Sequence, residues 1–356
     1  SGNGSADGEF KYLIDEFADL KIMRYQVPGW DSLSLRQKEY VYHLSEAAKY
    51  GRDIIWMQNC RYNLPVRKVL ENILENYGGD RDCKDFQDFT VYAKRVFFSN
   101  GIHHHYAEDK FFPECSEEYF RSLMEAVGDG EKCAELLPVI YDPEVFPQRK
   151  SNDPTKDIVQ ASAVNFYENV TRDEVDAFYK AMADPSDDTP VSYGLNSKVV
   201  KGEDGVIREE VYKVGGLYGA AIEKIVAELE KAAEFAENDA QKQYIATLVE
   251  YYRTGDLNLW DKYNIEWVQD TLGTVDFVNG FVEDYNDPLG RKATWEGLVN
   301  IKDHEASQRT EILSAEAQWF EDHSPVDPRF RKPHVKGVSA KVIDAVALAG
   351  DCYPST

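Results

Sequence analysis

Residues 275–301 place the tightest constraint on the fold of this chain. Val275, Phe277, Asn279, Phe281, Glu283 and Tyr285 occupy alternate positions, and a period of two sets them on one side of a β-strand. The turn Asn286-Asp287-Pro288-Leu289-Gly290 follows, and residues 293–301 return as a second strand. An all-helical fold is thereby excluded. A second hairpin is predicted from Val199-Val200-Lys201 and Val206-Ile207-Arg208, joined by a turn that ends Asp204-Gly205 and is longer than two residues.

Helical signals dominate elsewhere. Ser34 with Gln37 forms a capping box ahead of Val41, Leu44, Ala48 and Ile55. Pro65 suits a first helical turn, and the apolar stripe Val66, Val69, Leu70, Ile73, Leu74 and Tyr77 then runs to Gly78-Gly79. Ile222, Ile225, Val226, Leu229, Ala233 and Ala236 mark one helix of a pair. Asn238-Asp239 separate it from Tyr244, Leu248, Val249 and Tyr252, and Gly255 ends the second. A helical pattern returns at Ala306, Thr310, Ile312, Leu313 and Ala317, passes a proline-rich stretch at 323–333, and resumes over 338–349. The fold class is α+β.

The chain has 356 residues, 43% of them hydrophobic, enough for a sizeable buried core. Sixty-four acidic against forty basic residues give a formal charge of −24. A nucleic-acid binder must neutralise phosphates, so this balance excludes polyanions as the main partner, and an anionic membrane surface with them. No apolar run approaches the about 18 residues needed to span a bilayer. The five cysteines, Cys60, Cys83, Cys115, Cys133 and Cys352, are widely spaced and hold no C-x-x-C pair, which predicts free, mostly buried thiols. The chain begins Ser1-Gly2-Asn3-Gly4-Ser5, which suggests a removed leader or tag, and its end at Thr356 reads as a cut.

Candidate chemistry is sparse. Glu283 and Tyr285 extend an otherwise apolar strand face as neighbours two apart, where a carboxylate and a phenol could grip an ammonium and an oxyanion; the alternative is a plain hairpin end. His103-His104-His105 is either a loop of hydrogen-bonded histidines or a metal site, and consecutive residues point in different directions, so at most two could share one ion. His304-Glu305-Ala306-Ser307-Gln308 imitates a zinc motif but offers Gln308 as its second ligand, which rules it out. No glycine-rich nucleotide loop and no G-x-S-x-G elbow occurs.

Six longer segments carry a resemblance. They are Phe17-Ala18-Asp19-Leu20-Lys21-Ile22-Met23-Arg24-Tyr25-Gln26-Val27-Pro28-Gly29, Phe98-Ser99-Asn100-Gly101-Ile102-His103-His104-His105-Tyr106 and Val191-Ser192-Tyr193-Gly194-Leu195-Asn196-Ser197. The others are Lys213-Val214-Gly215-Gly216-Leu217-Tyr218, Glu283-Asp284-Tyr285-Asn286-Asp287-Pro288-Leu289-Gly290 and Trp319-Phe320-Glu321-Asp322-His323-Ser324-Pro325-Val326-Asp327. Together they resemble the dipeptidyl peptidase III family of zinc metallopeptidases, in its Bacteroides-like bacterial branch, over nearly the whole chain.

That resemblance implies a two-lobed enzyme that releases dipeptides from the N-terminus of oligopeptides. Its lower lobe is a small β-barrel surrounded by helices, here residues 1–302, and 303–356 would be the hinge and first helices of the upper, zinc-binding lobe. The family's zinc motifs, H-E-x-x-x-H and E-E-x-R-A-[ED], do not occur in this sequence. The resemblance therefore implies a substrate-binding part without its metal: zinc in the parent protein, none in this chain, and no hydrolysis by the chain alone. It makes Tyr285 the catalytic residue, a donor to the scissile carbonyl and its oxyanion, worth about 3 kcal/mol in comparable sites. Glu283 would hold the substrate ammonium, and Tyr106 would line the peptide cleft. Asn286 departs from the arginine of other branches. The expected partners are oligopeptides, the expected state a monomer, and the expected location the cytoplasm, or the periplasm if a leader preceded Ser1. A non-catalytic peptide-binding or scaffold protein derived from the same lobe is the alternative, and a metal-binding module built on the histidine triplet a third.

Overall fold

The computed structural model describes residues 30–186, 193–302 and 343–349. In chain order the helices are α1 (Leu35–Tyr50), α2 (Arg52–Asn59), α3 (Asn63–Asn76), α4 (Lys84–Phe98), α5 (Glu117–Ala126), α6 (Cys133–Tyr141) and α7 (Ile158–Ala161). Strand β1 (Tyr167–Glu168) and helix α8 (Arg172–Met182) precede the hairpin β2 (Ser197–Lys201) and β3 (Ile207–Val211). Helices α9 (Gly219–Glu234), α10 (Asp239–Thr254) and α11 (Leu257–Gln269) lead to β4 (Val275–Glu283), β5 (Thr294–Lys302) and β6 (Ile343–Ala349). No described helix is long and apolar enough to cross a membrane. The chain divides into two compact units: Trp56–Asn165 falls in one, and the described residues on either side of that segment fall in the other.

The first of these units is helical because its apolar residues recur at helical spacing. Val66, Val69, Leu70, Ile73 and Leu74 of α3 are buried, as are Phe86, Phe89, Tyr92 and Val96 of α4 and Phe120, Leu123 and Met124 of α5. Phe89 meets Phe120 edge to face at 5.4 Å, a geometry that aligns ring edge with ring face. Lys110 is buried beside the end of α6, where its Nζ donates to Val139 O at 2.9 Å, to Asp142 O at 2.5 Å and to Val145 O. A cation there satisfies carbonyls that the helix leaves without partners. Burial still pushes the Lys110 ammonium down to about 8.

The second unit packs α1, α9, α10 and α11 against the sheet β4-β5-β6. The predicted capping box is present: Ser34 Oγ accepts from Gln37 N–H, and Gln37 Oε1 accepts from Ser34 N–H. Tyr40, Leu44 and Ala48 of α1 share a core with Ile222, Ile225 and Leu229 of α9 and with Tyr244 and Leu248 of α10. Gly255 stops α10 in the left-handed conformation, with φ of 71°. Beneath the sheet, Trp295 Nε1 donates to Tyr252 Oη at 3.1 Å, and Tyr252 donates to Asn279 Oδ1, so the buried polar atoms of β4 and β5 are joined to α10. The smaller sheet has the order β1-β2-β3, with β1 parallel and β3 antiparallel to β2. Lys201 faces Ile207 across a five-residue connection, longer than two residues as the sequence predicts, and Val206, read as strand, lies in the connection.

Two expectations are corrected. The alternation from Val275 does not continue to Tyr285: β4 ends at Glu283, the register against β5 shifts between Phe281 and Glu283, and Tyr285 lies in the following turn. An extra residue in one strand breaks the period of two, so side chains beyond it no longer follow the face that precedes it. Residues 343–349, read as part of a helix, form β6 instead, pairing antiparallel with β5 from Gly297↔Ala349 to Lys302↔Ile343. The edge of β5 offers a row of backbone donors and acceptors, and pairing with it overrides the helical propensity of three alanines. The described strands form two three-stranded sheets and no closed barrel. The helical pattern at 306–317, the proline-rich stretch at 323–333, the segments beginning at Phe17 and Trp319, and Cys352 lie outside the described residues. Cys60, Cys83, Cys115 and Cys133 are free, and all but Cys83 are buried, as predicted.

Candidate functional site

The loop between β4 and β5 carries the residues singled out by the sequence. Glu283 closes β4 opposite Thr294 and is partly buried. Tyr285 is 46% exposed. Asn286 and Asp287 turn back into the protein and are buried.

Asp287 organises this loop. Its Oδ1 accepts from Leu289 N–H at 3.0 Å, and its Oδ2 accepts from Arg291 N–H at 2.9 Å and Lys292 N–H at 2.8 Å. The same Oδ2 accepts the phenolic hydrogen of Tyr167 at 2.7 Å. Asp287 N–H in turn donates to Asp284 O at 3.1 Å, and Gly290, at φ of 63°, donates to Asp287 O at 2.9 Å. The D-P-x-G pattern thus has a local mechanism: the aspartate side chain gathers the backbone donors of its own turn, and the glycine takes the left-handed position. Burial, and then the charge of Asp287, push the Tyr167 phenol far above its ordinary range.

Lys292 lies beneath the loop at 0% exposure. Its Nζ donates to Gly194 O at 2.9 Å, to Ser197 Oγ at 3.2 Å and to the Tyr179 hydroxyl oxygen. The two hydroxyls are both committed to Glu209: Tyr179 donates to Oε2 at 3.1 Å, and Ser197 donates to the same oxygen. Having given their hydrogens to the carboxylate, they can only accept from Lys292, whose three N–H donors match the three acceptors. Burial pushes the ammonium down to about 7, opposed by the charges of Glu209 and Asp287 and assisted by that of Arg291. Arg291 itself lies over the Tyr179 ring, 4.4 Å from its centre. Gly194 has φ of 84°, and a Cβ there would stand 2.4 Å from the Tyr179 hydroxyl, so glycine is required for this approach.

Tyr106 belongs to the other compact unit, where it is 56% exposed in the turn after the histidine triplet. The histidines are structural parts of that turn. His103 is buried and donates from Nε2 to Phe146 O at 2.8 Å. His104 Nδ1 accepts from Tyr106 N–H at 3.0 Å and Ala107 N–H at 2.9 Å, and its ring stacks on that of His105 at 4.7 Å. His105 Nδ1 shares a hydrogen bond with Ser99 Oγ at 3.2 Å. Burial holds His103 down at about 3 and lowers His104 as well. No three histidine, cysteine, aspartate or glutamate side chains among the described residues converge to hold a metal ion. The described residues do not fit a zinc site.

Sequence reasoning assigned no role to Asp287, Lys292 or Tyr167. Asp287 stands in the predicted turn Asn286-Asp287-Pro288-Leu289-Gly290, but nothing near Lys292 or Tyr167 in the sequence announces their partners.

The family model of peptidase family M49 matches residues 160–356. Dipeptidyl peptidase 3 of Homo sapiens is 24% identical over 370 aligned residues, which take in 91% of this chain and 49% of the relative. The Rattus norvegicus protein of the same name is 23% identical over the same shares. The structure of DPP III from Caldithrix abyssi superposes with a TM-score of 0.58 at 20% identity, over 96% of this chain and 53% of the other. That of dipeptidyl-peptidase III from Corallococcus sp. strain EGB superposes equally, at 0.58 and 19% identity, over 97% of this chain and 53% of the other. These superpositions support a common fold, and the chain spans about half the length of the curated relatives it matches. Because the family model covers more than half of its residues, the chain belongs to peptidase family M49.

Proposed function

We propose that this chain is the substrate-binding part of a zinc-dependent dipeptidyl-peptidase acting on the free N-terminus of oligopeptides. The observation that carries the reading is the β4–β5 connection, in which an exposed Tyr285 follows a partly buried Glu283 by two residues on a turn braced by Asp287. A phenol held on a rigid turn can donate to a carbonyl oxygen and keep donating as negative charge develops there, which favours the transition state over the ground state. A carboxylate close by in the chain can pair with the ammonium of a peptide and so select free N-termini. The names of the similar curated proteins, dipeptidyl peptidase 3, support this assignment.

In this reading residues 1–302 are the lower lobe and 303–356 the hinge and beginning of the upper, zinc-binding lobe, of which Ile343–Ala349 pair with β5. Tyr106 lines the peptide cleft. Zinc, held by residues outside those described, would polarise the scissile carbonyl and activate water. Tyr285→Phe in the intact zinc-loaded protein is the test. It should lower kcat on the order of a hundredfold or more with little change in KM. Wild-type turnover in that variant would remove Tyr285 from the mechanism.

A further inference from the structure

The loop that carries Tyr285 is held from outside its own sheet. Its end is bonded twice through one residue. The backbone N–H of Lys292 donates to Asp287 Oδ2 at 2.8 Å, while the side chain of Lys292 reaches Gly194, Ser197 on β2 and Tyr179 on α8. Through Tyr179 and Ser197 it is coupled to Glu209 on β3. Asp287 passes the constraint back along the chain, since its N–H donates to Asp284 O at 3.1 Å, one residue before Tyr285.

We propose that Lys292 is a positioning residue for Tyr285, its ammonium locking the 284–292 loop onto β2, β3 and α8 so that the phenol is presented in one place. The proposal rests on the assignment of Tyr285 above. A buried ammonium carries a desolvation cost, and a methionine of similar length would fill the same space without it. What methionine cannot do is donate three directed hydrogen bonds, and those fix the loop laterally as well as in depth. The groups facing the ammonium are Glu209 on β3, Asp287 and Arg291 in the loop, Tyr179 on α8 and Tyr167 on β1. Glu209 and Asp287 attract the ammonium and Arg291 repels it. An oxyanion donor displaced by an ångström loses much of its effect, so loosening the loop should appear in the chemical step more than in binding.

The test is a double-mutant cycle in the intact zinc-loaded protein, using Lys292→Met and Tyr285→Phe and measuring kcat and KM on an unblocked oligopeptide. Lys292→Met should lower kcat by roughly ten- to a hundredfold with KM changed by about twofold or less, and the double variant should be no slower than Tyr285→Phe alone. A structural role unrelated to Tyr285 would instead multiply the two losses, and that result overturns the proposal. If Tyr285→Phe is slow but Lys292→Met turns over like wild type, the positioning role fails while the assignment of Tyr285 stands. Wild-type turnover in Tyr285→Phe overturns both. Should Lys292→Met not fold, Glu209→Gln takes its place in the cycle. It leaves the lysine and the volume intact, and the same absence of multiplication with Tyr285→Phe is expected, multiplication again overturning the proposal.

Discussion

Tyr167 and Asp287 lie 120 positions apart in the chain, and the phenol of the first donates to the carboxylate of the second at 2.7 Å. The bond ties β1, in the smaller sheet, to the β4–β5 loop. Asp287 keeps three backbone donors without it, yet a hydrogen bond to a buried charge is among the stronger kinds. Tyr167→Phe should therefore lower the unfolding free energy by about 1.5–3 kcal/mol, read from urea denaturation. A variant as stable as wild type would show that the loop does not depend on this tie.

Gly51, between α1 and α2, adopts an ordinary helical conformation, with φ of −82°. Its backbone does not require glycine, but its surroundings do. A Cβ at this position would stand 2.2 Å from the Trp295 ring. Gly51→Ala should destabilise the protein by about 1–3 kcal/mol through overpacking against a buried indole. A second substitution, Trp295→Phe, should recover part of that loss, and thermal unfolding of the three variants distinguishes this from a local effect on the helix.

His103 predicts the response to acid. Its folded value of about 3 lies below the about 6.5 of an unfolded chain, so between these limits the unfolded state binds the additional proton. The stability that His103 contributes is present above about pH 6.5 and is lost as the pH falls toward 3. The urea midpoint of wild type should drop more between pH 7 and pH 4 than that of His103→Asn, and parallel curves would contradict the burial of a neutral imidazole.

Lys292 acts at the other end of the scale. The folded chain releases its proton near 7, the unfolded chain near 10.4, so the cost of burying the ammonium is fully present below about pH 7 and is relieved as the pH rises between those values. Wild type should gain stability relative to Lys292→Met between pH 7 and pH 10. A constant difference across that window would mean that the site keeps its proton throughout.

Much of this protein is legible from local sequence. The Ser34–Gln37 box, the stripe on α3, the α9–α10 pair with its stop at Gly255, the β2–β3 hairpin and the β4–β5 pair all follow from periods and caps contained within a few residues of one another. Glu283 and Tyr285 could be singled out for the same reason, as neighbours at the end of one alternating run. The three-dimensional structure alone decides where that run breaks. It ends at Glu283 because a register shift and the Asp287 turn remove Tyr285 from the strand. It also decides that Ile343–Ala349 is a strand, because the edge of β5 supplies the hydrogen bonds. Above all it decides that Lys292 is buried. Its acceptors on Tyr179, Gly194 and Ser197 come from 113, 98 and 95 positions away, and the desolvation of a cation is a property of what surrounds it, which no local pattern encodes.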